Sequence, residues 1–299
     1  MGSDFELIIV DDSENNKGWQ LIEESISEIK RIENLLTEFN DDSQTSLINQ
    51  NAGIKSVEVD TEVYEIIKRS KQISDLTQGA FDITACALKK LYNFKGNDFS
   101  FPSENKIKET LTNTGFQNIE LTGNNRVFLK QKGMHIAFGA IGKGYAADKV
   151  KNMLVEKGIK AGVINASGDL TAWGKRANGS EWNVGIANPD NKNEMLFWLP
   201  LNNSCIATSG DYEQYFTKNG IRYSHTINPK TGYPTTGIKS VSIISPSAEL
   251  SDGLATAVFV MGKEAGFFLL DQLPEVHCIL IDEFNTVYHS AHSEILQNV

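Results

Sequence analysis

The sequence predicts an α+β protein: a single two-lobed unit spanning the chain, with mainly antiparallel sheets and flanking helices. Helical spacing concentrates in the first part of the chain, whereas strand patterns dominate later and do not alternate regularly with helices. No internal repeat or low-complexity linker divides the 299 residues, and a content of 40% hydrophobic residues suffices for a sizeable core.

The opening MGSDFELIIV reads as a strand running into a polar turn. From Trp19 to Asn40 the apolar positions Leu21, Ile22, Ile26, Ile29, Ile32, Leu35 and Leu36 predict a long amphipathic helix. The polar stretch NDDSQTSLINQNAG predicts a loop, and Thr61 an N-cap for a helix that ends at a C-cap on Gly79. The segment AFDITACALKKLYNF follows, then a charged, Asn-rich stretch from Lys95, then a helix from Glu104 to Thr114. Gly123, Asn124 and Asn125 tolerate positive φ and predict a hairpin.

HIAFGAIGKGYAADKV, from His135 to Val150, reads as a strand, a tight Gly-Lys-Gly turn and a helix reaching about Lys157. AGVINASGDLTAWG, EWNVGIANP, MLFWLPLNNSCIATSG, SVSIISPS and HCILIDEFNTVYHS predict further strands. Two late helices cover Glu249 to Met261 and Lys263 to Leu270.

A net charge of −10 disfavours non-specific binding to nucleic acid or anionic membranes, so a polyanionic ligand must be met locally by a metal ion or backbone N–H groups. Cys86, Cys205 and Cys278 have no metal-ligand spacing and read as small buried hydrophobes without a disulfide framework. No apolar run reaches the length of a membrane-spanning helix, and the opening residues carry no signal-peptide pattern.

Four readings compete for Gly139 to Gly144. A P-loop requires G-x-x-x-x-G-K-[ST], but Gly144 follows Lys143. Gly142, Gly144 and Ala147 fit a dinucleotide fingerprint, yet Asp169 lies beyond the next strand and the later chain is hairpin-like. The third reading is a phosphate site at a helix N-terminus, with Lys143 adding charge; an ordinary turn with positive-φ glycines and a solvated lysine stands beside it.

Four further clusters are polar and rich in small residues. NASGDL lets backbone approach a ligand, and ATSGDYEQYF places Ser209, Gly210 and Asp211 at the start of a short helix. RYSHTINPKTGYP carries His225 between a strand and a Pro/Gly turn. In SDGLATAVFVMG, Asp252 and Thr256 are four apart on one helix face and offer hard oxygens to Mg²⁺. Ordinary turns and capping also account for each cluster taken alone.

In this order the stretches resemble the ApbE-type FAD:protein FMN transferases over nearly the whole chain. The motifs are MGSDFELIIV, LLTEFNDDSQTSLINQNAG, TQGAFDITACAL, GAIGKGYAAD, INASGDL, IATSGDYEQYF, YSHTINPKTGYP and SDGLATAVFVMG. The resemblance implies an ApbE-like, T-fold-like unit and a Mg²⁺-dependent enzyme. It would bind FAD as substrate and pass FMN to a Thr or Ser hydroxyl of an acceptor protein, releasing AMP. The implied acceptors are electron-transfer subunits such as those of sodium-pumping NADH:quinone oxidoreductase and Rnf-type complexes.

By the same resemblance His225 is the general base, and the Ala140 carbonyl, Asp252 and Thr256 hold the metal. Lys143, Asp169, Ser209 and Gly210 line the FAD site, while Met1, Phe39 and the Ala80-Phe81-Asp82 segment border the flavin and adenine. Phe39 stands where the family's loop usually has tyrosine, which keeps a stacking face and loses a hydroxyl. FAD pyrophosphatase activity, with water as acceptor, is therefore one alternative, and a protein that binds FAD without turnover is another. Many bacterial relatives carry a lipoprotein signal, so the resemblance also implies a location outside the cytoplasmic membrane and a lipid anchor on the full-length form, trimmed from this chain.

Overall fold

The computed structural model describes residues 3–11, 17–94, 100–211 and 214–290. In the first half, β1 (Phe5–Val10) precedes α1 (Gly18–Leu36), α2 (Gln44–Gln50), β2 (Val57–Glu58), α3 (Thr61–Leu76), α4 (Cys86–Lys89) and α5 (Glu104–Thr112). Then come β3 (Ile119–Thr122), β4 (Arg126–Leu129), α6 (Gly142–Glu156), β5 (Ala161–Ala166), β6 (Asp169–Trp173), β7 (Trp182–Asn188) and β8 (Asn191–Leu201). The chain continues through β9 (Cys205–Gly210), β10 (Tyr215–Lys218), β11 (Ile221–Ser224) and β12 (Ile238–Ser245). It closes with α7 (Ala248–Met261), α8 (Lys263–Leu270), β13 (His277–Asp282) and β14 (Val287–His289).

A seven-stranded sheet in the order β1-β5-β6-β9-β12-β13-β14 forms the middle layer, with every neighbouring pair antiparallel. Alternation along its strands separates two apolar faces. Ile164, Ile243, Cys278 and Leu280 pack with the helical side, whereas Val163, Ile244 and Ile279 pack with Trp182, Val184, Leu199 and Leu201 of the β7–β8 ribbon. Both faces are therefore covered, and all eight residues of β12 are buried. A third cluster joins α1, α2, α3 and the β2-β4-β3 sheet around Ile32, Ile48, Ile66 and Val127.

The long early helix, the hairpin with Asn124 and Asn125 at positive φ, and the two late helices form as predicted. Four local expectations are corrected. The predicted loop after Asn40 contains α2, because the Ser43 hydroxyl accepts the Ser46 N–H and starts a helix. Asp60, rather than Thr61, occupies the cap position of α3, and Thr61 accepts a hydrogen bond from Asn125.

Residues 135–138 are not a strand. Ile136 exchanges both of its backbone hydrogen bonds with the Asn49 side-chain amide, and Ala137 donates to the Ile83 carbonyl, so side chain and loop replace a sheet neighbour. Ser209 and Gly210 end strand β9 rather than beginning a helix, since Ser209 pairs with Val241 and Gly210 with Ser240. All three cysteines are free; Cys205 and Cys278 are buried and Cys86 is half-buried.

Candidate active site

The Gly-Lys-Gly sequence is the first turn of α6 rather than a separate turn, and neither Gly142 nor Gly144 has positive φ. Their smallness serves close packing. A Cβ on Gly144 would stand 2.2 Å from the Ala248 carbonyl oxygen, so α6 reaches the start of α7 only because residue 144 is glycine. Asp148, one turn along α6, takes hydrogen bonds from the Ser247 hydroxyl at 2.8 Å and the Ala248 and Glu249 N–H groups at 3.0 Å. It caps α7 from a neighbouring helix. No local sequence signal marks this role, which is created when α6 and α7 meet.

This docking assembles a polar cluster. Lys143 Nζ lies 2.5 Å from Asp169 Oδ2. Asp169 opens β6 directly after the tight Ser167-Gly168 turn, both residues of which have positive φ, and it accepts the Thr208 N–H at 3.2 Å. From α7, Asp252 Oδ2 accepts the Gly144 N–H at 3.2 Å, and Thr256 Oγ1 meets Ser209 Oγ at 3.1 Å. Thus Lys143, Asp169, Ser209, Asp252 and Thr256, drawn from α6, β6, β9 and α7, converge, with Gly210 next in the chain.

Burial pushes the Asp252 carboxyl up to about 7; the negative charge of Asp169 adds to the rise, while Lys143 and the Gly144 N–H oppose it. Asp169 is also raised by burial, with Lys143 opposing. Two buried carboxyls share one lysine, so the cluster is short of positive charge. A divalent cation fits that deficit, with Asp252 and Thr256 supplying hard oxygens and the half-buried Ala140 carbonyl lying in the turn that enters α6. Among the described residues no group of three His, Cys, Asp or Glu side chains forms a metal site. A cation here would therefore depend on one carboxylate, neutral oxygens and ligand phosphates.

His225 is placed by a different element, just beyond β11. Its backbone N–H donates to the Gln214 carbonyl at 3.0 Å, and its Nδ1 lies 3.1 Å from the same oxygen. A carbonyl only accepts, so Nδ1 carries the proton and Nε2 is the basic nitrogen.

The remaining predicted residues occupy different environments. Phe39 is 89% exposed, whereas Ala80 and Phe81 are buried. The Phe81 ring packs beneath α7 at Gly253, beside Asp252. Asp82 accepts hydrogen bonds from the Thr84 N–H and hydroxyl and from the Phe116 N–H, latching this segment in place. Met1 lies outside the described residues.

A model of the ApbE family matches residues 1–280. The FAD:protein FMN transferase of Treponema pallidum is 33% identical over 276 residues, covering 87% of this chain and 76% of that protein. That of Klebsiella pneumoniae is 33% identical over 256 residues, covering 85% and 79%. The crystal structure of the ApbE protein from Thermotoga maritima superposes with a TM-score of 0.86 at 31% identity, covering 96% of each chain.

Proposed function

The chain belongs to the ApbE family, and from that premise we propose that it transfers FMN from FAD to a Thr or Ser hydroxyl of an acceptor protein, with Mg²⁺ and with release of AMP. The observation that carries this reading is the Lys143, Asp169 and Asp252 cluster at the N-terminus of α6. It combines a lysine, the positive end of the α6 dipole and a carboxylate in want of a cation, which suits a diphosphate.

In this reading Lys143 and the first turn of α6 bind and orient the diphosphate. Asp252, Thr256 and the Ala140 carbonyl would hold Mg²⁺, which when bound neutralises phosphate charge in the transfer. His225 Nε2 takes the acceptor hydroxyl proton while that oxygen forms its bond to the FMN phosphorus; the bond from that phosphorus to the AMP oxygen breaks. The Gln214 carbonyl holds the imidazole in the tautomer this requires. Phe39, 89% exposed on its loop, is proposed to border the flavin.

The acceptors proposed are electron-transfer subunits of the sodium-pumping NADH:quinone oxidoreductase or Rnf type. The site of action proposed is the outer side of the cytoplasmic membrane, with attachment there by a lipid anchor. Both rest on the family resemblance. Among the described residues no helix is long and apolar enough to cross a membrane.

Mass spectrometry of an acceptor subunit incubated with the protein, FAD and Mg²⁺ tests the reading. A gain equal to FMN less water, with AMP released, is expected; His225→Gln abolishes the gain while FAD binding persists. Free FMN and AMP with an unmodified acceptor would instead establish a pyrophosphatase, and unchanged FAD would leave a binding protein.

A further inference from the structure

The β10–β11 hairpin that carries His225 has only two strands, too little to hold a precise position unaided. It is gripped on both faces. On one, Phe216 and Tyr223 sit directly opposite each other with their rings stacked at 4.8 Å, and the Phe101 ring meets them at 5.8 and 5.2 Å. On the other, the Arg222 guanidinium lies 3.7 Å over the Tyr215 ring, with Nε 2.6 Å from Asp211 Oδ2 in an ion pair.

Asp211 follows Ser209 and Gly210 at the end of β9, and Ser209 touches Thr256. Arg222 precedes His225 by three residues. The Asp211–Arg222 pair therefore joins the strand of the phosphate-side cluster to the hairpin of the proton acceptor. Asp190 extends the network: it meets Arg222 Nη1 at 3.2 Å and Lys239 Nζ at 2.7 Å.

We infer that the Asp211–Arg222 ion pair is a positioning device for the transfer, fixing the His225 imidazole relative to the Ser209 and Thr256 end of the cluster. The inference rests on the transferase reading for its kinetic consequence and on geometry alone for its effect on His225. The pair is poorly suited to a purely stabilising role. Asp211 is 2% exposed, and its Oδ1 and the Arg222 Nε and Nη2 are buried without a hydrogen-bond partner among the described residues, so the pair is held by charge and proximity. An incompletely satisfied buried pair adds little net stability, whereas it restricts two segments to one relative placement. The two residues act through His225 and have no assigned contact with substrate.

The experiment compares the full chain with the double variant Asp211→Asn/Arg222→Gln, which removes both charges together so that neither is left buried alone. Arg222→Lys is the conservative control, since it keeps the charge and loses the fork. The first readout is the nitrogen spectrum of the histidine side chains, five in number, with His225 assigned from His225→Gln. The wild type is expected to show the Nδ1–H tautomer, and the double variant a mixture of tautomers, with Arg222→Lys between them. The second readout is FMN transfer: kcat falls at least tenfold in the double variant while the FAD Kd, from flavin fluorescence, stays within twofold.

An unchanged His225 signal and unchanged kcat would overturn the inference. So would a loss of kcat matched by an equal loss of FAD affinity, which is what a plain strut would produce. Absence of transfer in the wild type would overturn the transferase reading instead, and the His225 spectrum would still decide the positioning role.

Discussion

Gly144 donates its backbone N–H to the Asp252 carboxylate at 3.2 Å, across a helix contact so close that residue 144 has no room for a side chain. One residue thus sets both the approach of α6 to α7 and a hydrogen bond on Asp252, the carboxylate proposed to hold the cation.

Gly144→Ala forces the Cβ against the Ala248 carbonyl, a backbone atom that cannot rotate away. Overpacking of this kind costs about 1–3 kcal/mol. Urea unfolding should show a loss of that order or more, together with weaker FAD binding. An unchanged midpoint would mean that the helices do not meet this closely in solution.

Asp148→Ala removes the acceptor of three hydrogen bonds at the start of α7. The expected destabilisation is about 1–2 kcal/mol, in the range of a lost helix cap. Asp148→Asn should recover part of it. Thermal unfolding of the two variants side by side checks the order.

Asp252→Asn and Thr256→Val each remove a hard oxygen proposed for Mg²⁺. Calorimetric titration of Mg²⁺ into the FAD complex should show at least tenfold weaker binding for Asp252→Asn and a smaller loss for Thr256→Val. Equal affinity in all three proteins would place the cation elsewhere.

Burial raises the Asp211 carboxyl to about 6 from an ordinary value near 3.8, against the opposing pull of Arg222 and Lys239 and with a further push from Asp190. The folded state therefore holds the proton more tightly than the unfolded chain. That contribution to stability is complete below about pH 4 and is lost as pH rises through about 6. The difference in unfolding midpoint between Asp211→Asn and wild type should move in favour of the variant across this window and stay level above it. A difference independent of pH would show that Asp211 titrates normally.

The sequence was legible where a local signal matches its structural cause. Seven apolar positions at helical spacing sufficed for α1, and positive-φ residues sufficed for the hairpin around Asn124 and Asn125. The positions of Lys143 at a helix start, and of Asp252 one turn before Thr256 on a helix, were also visible, and it is on these that the proposed phosphate and cation roles rest. Residues 135–138 misled because their apolar run resembles a strand, while the Asn49 amide, distant in the chain, satisfies the Ile136 backbone.

What the sequence determined by itself was therefore the elements with a strong local signal, such as α1, the Asn124–Asn125 hairpin, α7 and α8, together with the donor types they carry, because periodicity and donor type are local properties. Only the tertiary structure decided that Asp169 pairs with Lys143, that Asp148 caps a helix to which it does not belong, and that Ser209 meets Thr256. It also decided how the glycines of the Gly-Lys-Gly segment are used. The physical reason is that burial, charge balance and the room for a Cβ exist only once α6, α7 and the central sheet are packed together.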